Sequence, residues 1–171
     1  MNSRVEWKGY KVLKTDQTTH FGTIRFESGD VTIKEGKLQS GKFVADINTL
    51  ENIDLKDKQE MKTKLENHLK SGDFFEVEKF PTASYEITKV TEANGGDYNT
   101  LLDGNLTIKG ITKPVQFKAN VTVADGNVNI ATEPTDINRE DFGLKFTLPL
   151  ENGLLNKEIN LQVLIKAMES K

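Results

Sequence analysis

A chain of 171 residues favours a single domain spanning 1–171, and at that size folding removes about 70% of the unfolded surface from water, so no staple is required. A net charge of −3 lacks the basic excess of a nucleic-acid binder, and the absence of cysteine excludes thiol catalysis, thiolate metal sites and disulfides. Apolar residues at 36% and charged residues at 29% give the balance of a soluble globular chain, and no apolar run approaches the ~18 residues of a membrane-spanning helix.

The start, Met1-Asn2-Ser3-Arg4, has no apolar signal-peptide core, yet patterned sequence begins at once with Val5 and Trp7. This reads as a mature form stripped of a leader, which implies a periplasmic or secreted protein; a cytoplasmic one is the alternative. Period-2 alternation then dominates, the mark of strands with one buried face. It runs through Gly22-Ile24-Phe26, Val31-Ile33 and Phe43-Ala45-Ile47, with turn signals at Ser28-Gly29-Asp30 and Glu35-Gly36 between them.

Residues 54–70 break the pattern. Met61, Leu65 and Leu69 recur at i, i+4 and i+8, which predicts one amphipathic helix over about 55–70, capped by Asp54 and stopped near Gly72. Its lysines alternate with acids and read as a solvated face, with transient contact to a membrane surface as the alternative. Alternation resumes at Ala83-Tyr85-Ile87, passes Asn94-Gly95-Gly96, and continues through Gly104-Leu106-Ile108. The cleanest run is Val115, Phe117, Ala119, Val121 and Val123, followed by the hairpin signal Asp125-Gly126 and by Val128-Ile130. After Asn152-Gly153 come Ile159, Leu161, Val163 and Ile165.

Short turns make sequential antiparallel neighbours, and a meander of eight or more strands curls and closes to remove its edges. The expected fold is therefore all-β: an eight-stranded antiparallel barrel with the helix across one end. Small inward residues (Gly22, Ala45, Gly104, Ala119) suggest internal room. The 11 residues from Pro114 to Ala124 reach about 36 Å at about 3.3 Å each, or about 28 Å along the axis at a tilt of about 40°. That length suits an extended chain; from pattern alone, a packed barrel with no ligand stands level with it.

Three ordered motifs carry a resemblance. His68-Leu69-Lys70-Ser71-Gly72-Asp73-Phe74-Phe75-Glu76-Val77-Glu78-Lys79-Phe80-Pro81, Gly104-Asn105-Leu106-Thr107-Ile108-Lys109-Gly110-Ile111-Thr112-Lys113-Pro114-Val115 and Asn138-Arg139-Glu140-Asp141-Phe142-Gly143-Leu144 resemble the YceI-like family, lipocalin-like bacterial proteins associated with polyisoprenoid lipids. His20-Phe21-Gly22-Thr23-Ile24 fits one of its branches, whereas Leu65 and Glu66 stand where the common form has an Arg-Asp pair. The resemblance implies the extended, lipocalin-like form of that barrel, an apolar tunnel and non-catalytic binding of a long-chain lipid: a polyisoprenoid, an isoprenoid quinone or a fatty-acid-like molecule. It also allows a homodimer, although no residue demands one.

The expected lining is Phe26, Ile33, Phe43, Ile47, Phe74, Tyr85, Ile87, Leu106, Phe117, Val121 and Val163, each of which alone reads equally well as plain core. Phe74 and Phe75 are expected to seal the helix against the barrel. The two histidines, His20 and His68, show no metal-ligand spacing, so no metal or cofactor is expected. Arg139 with Asp141 reads as a structural ion pair, with an anionic head group as the alternative partner. No Gly-x-Ser-x-Gly elbow or phosphate-cradling loop points to catalysis. Two other readings remain open: a ligand-free interaction or stress-related barrel, and an enzyme acting on a lipid-like substrate.

Overall fold

Alternation over most of the chain becomes one antiparallel sheet. The computed structural model describes residues 3–11, 19–71, 75–93, 96–144 and 155–168. Among them are β1 (Arg4–Lys11), β2 (Thr19–Lys34), β3 (Lys37–Asn52), the helix α1 (Gln59–Lys70), β4 (Thr82–Glu92), β5 (Thr100–Ile108), β6 (Ile111–Ala124), β7 (Asn127–Thr132), β8 (Thr135–Asn138), a 3-10 turn at Arg139–Phe142, and β9 (Leu155–Met168). Each strand pairs with the next up to β7, and β9 returns to pair with β1, Val5 standing opposite Val163, so the sheet closes into a barrel.

Nine strands make eight staves because β7 and β8 lie end to end along β9. Asn127 to Ala131 pair with Met168 to Leu164, and Thr135 to Asn138 pair with Leu161 to Glu158. Pro134, which has no N–H to give a ladder, sits in the gap between them. The buried Thr132 side chain bridges that gap: its hydroxyl accepts from the Val163 N–H at 2.8 Å.

Two expected hairpins form as drawn. Asp125 and Gly126 hold φ of 52° and 78°, the paired positive values of a type I′ turn, and Glu35-Gly36 and Lys109-Gly110 share this geometry. Ser28-Gly29-Asp30, expected to turn, instead runs as regular strand through the middle of β2, paired with Val44, Phe43 and Lys42, just after a bulge at Glu27. One extra residue on β2 shifts the inward face from even positions (Gly22, Ile24, Phe26) to odd ones (Gly29, Val31, Ile33). The turn signals at Asn94-Gly95 and Asn152-Gly153 lie outside the described residues.

The helix is shorter than its sequence pattern. It begins at Gln59, and Lys58 makes no side-chain cap. Asp54 does not cap it either: its carboxylate accepts from the Phe21 N–H at 2.8 Å and stands 2.7 Å from His20 Nδ1. Of the expected stripe, Leu69 is buried and Leu65 half-buried, but Met61 is 52% exposed because α1 meets β3 only along its later turns. The Phe75 N–H bonds the Leu69 carbonyl at 3.0 Å, which turns the chain back beneath the helix.

Asn52, fully buried at the end of β3, ties this corner together. Its amide nitrogen donates to the Phe21 carbonyl at 3.3 Å and to Asp54 at 2.5 Å, while its amide oxygen accepts from the Leu55 N–H at 3.0 Å. Its backbone N–H donates to Glu66 on α1 at 2.8 Å, and Glu66 also pairs with Lys62 at 3.1 Å. Asn52→Ala strips three side-chain bonds from a fully buried site. We expect a loss of about 2 kcal/mol, read as a shift in the urea midpoint, with Asn52→Asp recovering only the bond from Leu55.

Candidate functional site

The barrel interior is an apolar lumen. Its walls come from eight strands, β1 to β7 and β9, and from Phe75. Of the residues expected there, Phe26, Phe43, Ile47, Tyr85, Ile87, Leu106, Phe117 and Val163 stand on the wall. Ile33 and Val121 do not. Both lie toward the hairpin ends of their strands, half-buried against the core beyond the lumen. Phe74 lies outside the described residues, while its neighbour Phe75 is buried and lines the lumen. Sequence reasoning left out Ile24, Leu102, Ile108 and Ile130, and also Ile159, Leu161 and Ile165. The signal for these was present: all sit on the inward parity of strands already recognised by alternation.

The small inward residues do not leave the room expected of them. A Cβ on Gly22 would come within 2.8 Å of Trp7 Cζ2, one on Gly29 within 2.9 Å of Phe43 Cδ1, and one on Gly104 within 2.6 Å of Tyr85 Cζ. Each glycine is covered by a ring from a paired strand, as glycines in sheets often are. The rings themselves pack edge to face, Phe26 with Phe43 at 6.1 Å between centroids and Tyr85 with Phe117 at 5.1 Å. What remains open is about 70 Å³. That is under half the ~150 Å³ of an apolar cavity known to take up benzene in another protein.

The polar groups that face inward are tied to the backbone. The Tyr85 hydroxyl lies 2.7 Å from the Val115 carbonyl and 3.2 Å from that of Leu102, and Thr132 serves Val163 as described. Burial pushes the Tyr85 phenol well above its ordinary value, with the charge of Asp103 adding to the effect. Because the folded pKa is raised, the stability supplied by neutral Tyr85 is intact below about pH 10, the unfolded value, and falls as pH rises above it. Comparison of wild type with Tyr85→Phe in urea titrations at increasing alkalinity is expected to show the wild-type advantage shrinking above about pH 10. An advantage independent of pH would contradict the assignment.

A second, smaller space of about 50 Å³ lies beneath α1, walled by Trp7, Leu50, Leu65, Leu69 and Phe75 among others. It shares Ile24, Phe75, Ile159 and Leu161 with the lumen, so these side chains form the wall between two adjacent spaces. At its rim His20 is held by Asp54. His68 sits in the last turn of α1, where its carbonyl accepts from both the N–H and the hydroxyl of Ser71, at 3.1 and 2.6 Å.

Arg139 is structural. Its guanidinium is buried and donates to the Leu144 carbonyl at 2.6 Å, closing the 3-10 turn on itself, while Asp141 stays exposed. Burial draws its pKa below the ordinary value, with Glu140 opposing. Among the described residues no three acidic or histidine side chains gather in a metal-binding group. No described helix is long and apolar enough to cross a membrane.

Comparison with known proteins agrees with this architecture. Residues 1–167 match the YceI-like domain. A UPF0312 protein of Pseudomonas aeruginosa (strain LESB58) is 31% identical over 170 residues, covering 96% of this chain and 78% of its own. A UPF0312 protein of Staphylococcus aureus (strain N315) is 35% identical over 105 residues, 57% of each chain. Among solved structures, Burkholderia cenocepacia BcnA superposes with a TM-score of 0.74 at 19% identity over 97% of this chain and 96% of its own. The Campylobacter jejuni YCEI protein gives 0.61 at 21% identity over 86% and 85%.

Proposed function

Since this chain belongs to the YceI-like domain family, we propose that it binds one long apolar lipid, a polyisoprenoid, isoprenoid quinone or fatty-chain molecule, along its barrel lumen and does no chemistry on it. The observation that carries this reading is the wall itself: an almost wholly hydrocarbon barrel interior in which the hydroxyls of Tyr85 and Thr132 are already bonded to the backbone. Such a wall has no group to activate a substrate. It can still gain about 0.8 kcal/mol for each methylene it shelters from water. Lipid crossing water between membranes is the use that such a lumen fits, and a periplasmic or secreted setting follows from it.

A chain longer than a few carbons needs more than about 70 Å³. On this reading the rings of Phe26, Phe43 and Phe117 swing aside as it enters, at a cost that the buried methylenes offset. The same small volume favours a second reading, a packed barrel that contacts another protein and takes no ligand. Native mass spectrometry of the purified protein, with extraction and identification of any adduct, separates the two. A stoichiometric long-chain adduct is expected. A clean polypeptide mass, with no uptake of offered polyprenes, would move the assignment to the packed barrel.

A further inference from the structure

The least explained polar group in the barrel is the indole N–H of Trp7. Trp7 is 8% exposed and lies in β1 between Gly22 of β2 and Leu161 of β9, its ring resting over Gly22. Its Nε1 is fully buried and has no hydrogen-bond partner among the described residues. An orphaned buried donor costs about 1–3 kcal/mol, so native proteins keep few without a use. Gly22 makes room for this ring where a smaller one would need none.

Trp7 also forms part of the wall of the space beneath α1, which adjoins the lumen across the shared side chains of Ile24, Phe75, Ile159 and Leu161. A molecule lying along the lumen that moves these side chains aside ends against Trp7. Resting on the lumen-binding reading above, we propose that this space is the head-group subsite, and that it takes a neutral oxygen acceptor, a ketone, quinone, ester or amide carbonyl, to which the Trp7 N–H donates. Neutrality follows from the surroundings. Leu50, Leu65, Leu69 and Phe75 offer no charge, Lys8 on the rim is exposed, and His20 is already engaged by Asp54. A carboxylate or phosphate placed here would lose its hydration for a single N–H, whereas a carbonyl needs no more than one donor. The roughly 50 Å³ beneath the helix is of the size of a small end group and not of a second chain.

The test uses delipidated full-length protein and two probes of similar length: squalene, a pure hydrocarbon, and a polyprenyl methyl ketone. Affinities are measured for wild type, for Trp7→Phe, and for protein carrying at position 7 the tryptophan isostere with sulfur in place of the ring N–H. The isostere keeps the ring's shape, so it guards against misfolding of the phenylalanine variant. We expect squalene affinity within about twofold across wild type and isostere, and ketone affinity about tenfold weaker in the isostere, the worth of one buried hydrogen bond. The infrared carbonyl stretch of bound ketone is expected to be lowered in wild type and to return toward the free position in the isostere. If squalene binds but ketone affinity and carbonyl stretch are indifferent to the N–H, the inference fails and the lumen reading stands. If wild type binds neither probe, both fail.

Discussion

Gly22→Ala is expected to cost about 3 kcal/mol or more, a large share of the roughly 5–15 kcal/mol that holds a domain of this kind folded. The added methyl would run into the backbone carbonyl oxygen of Glu51 on β3 and, at 2.8 Å, into the Trp7 ring. The ring is buried beside the closing pair of β1 and β9, so displacing it disturbs that seam. The carbonyl belongs to the irregular stretch where pairing jumps from Thr23–Glu51 to Arg25–Asp46, so moving it disturbs the end of β3 and the Asn52 corner together. The control is Gly96→Ala, whose Cβ would meet nothing nearer than 4.0 Å and whose midpoint is expected to move by no more than about 0.5 kcal/mol. Equal shifts for the two in urea denaturation would mean that Gly22 is not the close-packed point it is taken to be.

Phe117→Ala is expected to move stability and binding in opposite directions. Phe117 is 2% exposed and packs edge to face on Tyr85 at 5.1 Å, so truncation costs about 3–5 kcal/mol. The same truncation adds the volume of a ring to a lumen of about 70 Å³, which brings it near the ~150 Å³ at which an apolar cavity takes up benzene. Denaturation midpoint and benzene uptake by NMR read the two effects separately. A loss of stability with no gain in uptake would show that the wall collapses into the gap, and the lumen would then be core in the ordinary sense.

Both predictions turn on features of unequal legibility in the sequence. Phe117 announces itself, since it sits in the cleanest alternating run and a period of two assigns its face without reference to any other strand. Gly22 does not. Its smallness suggested open space, and only the ring of Trp7, fifteen residues earlier in the chain and opposite it in the barrel, shows that the space is occupied. Ser28-Gly29-Asp30 was misleading for a related reason. A glycine among small polar residues can also sit inside a strand, and here β3 continues past it, with Phe43 paired opposite Gly29. Asn52 carried no local signal at all, because its four partners come from β2, the turn after β3, and α1. Asp54 looked like a helix cap for the same want of tertiary information: a carboxylate near a helix start bonds whichever nearby N–H lacks another partner, and here that was Phe21.

The amino-acid pattern by itself determined that this chain makes antiparallel staves, where most of them turn, that one helix interrupts them, and that the enclosed face is hydrocarbon. Each of these follows from local periodicity or from a turn's demand for positive φ, which neighbouring residues satisfy alone. Tertiary structure alone decided how β1 finds β9, how β7 and β8 share one stave, where the bulge in β2 exchanges inward for outward positions, and how little free volume the rings leave. Those are differences between groups far apart in the chain. A lumen's volume is what remains after side chains from opposite staves have packed, and no single strand records what the strand across from it will fill.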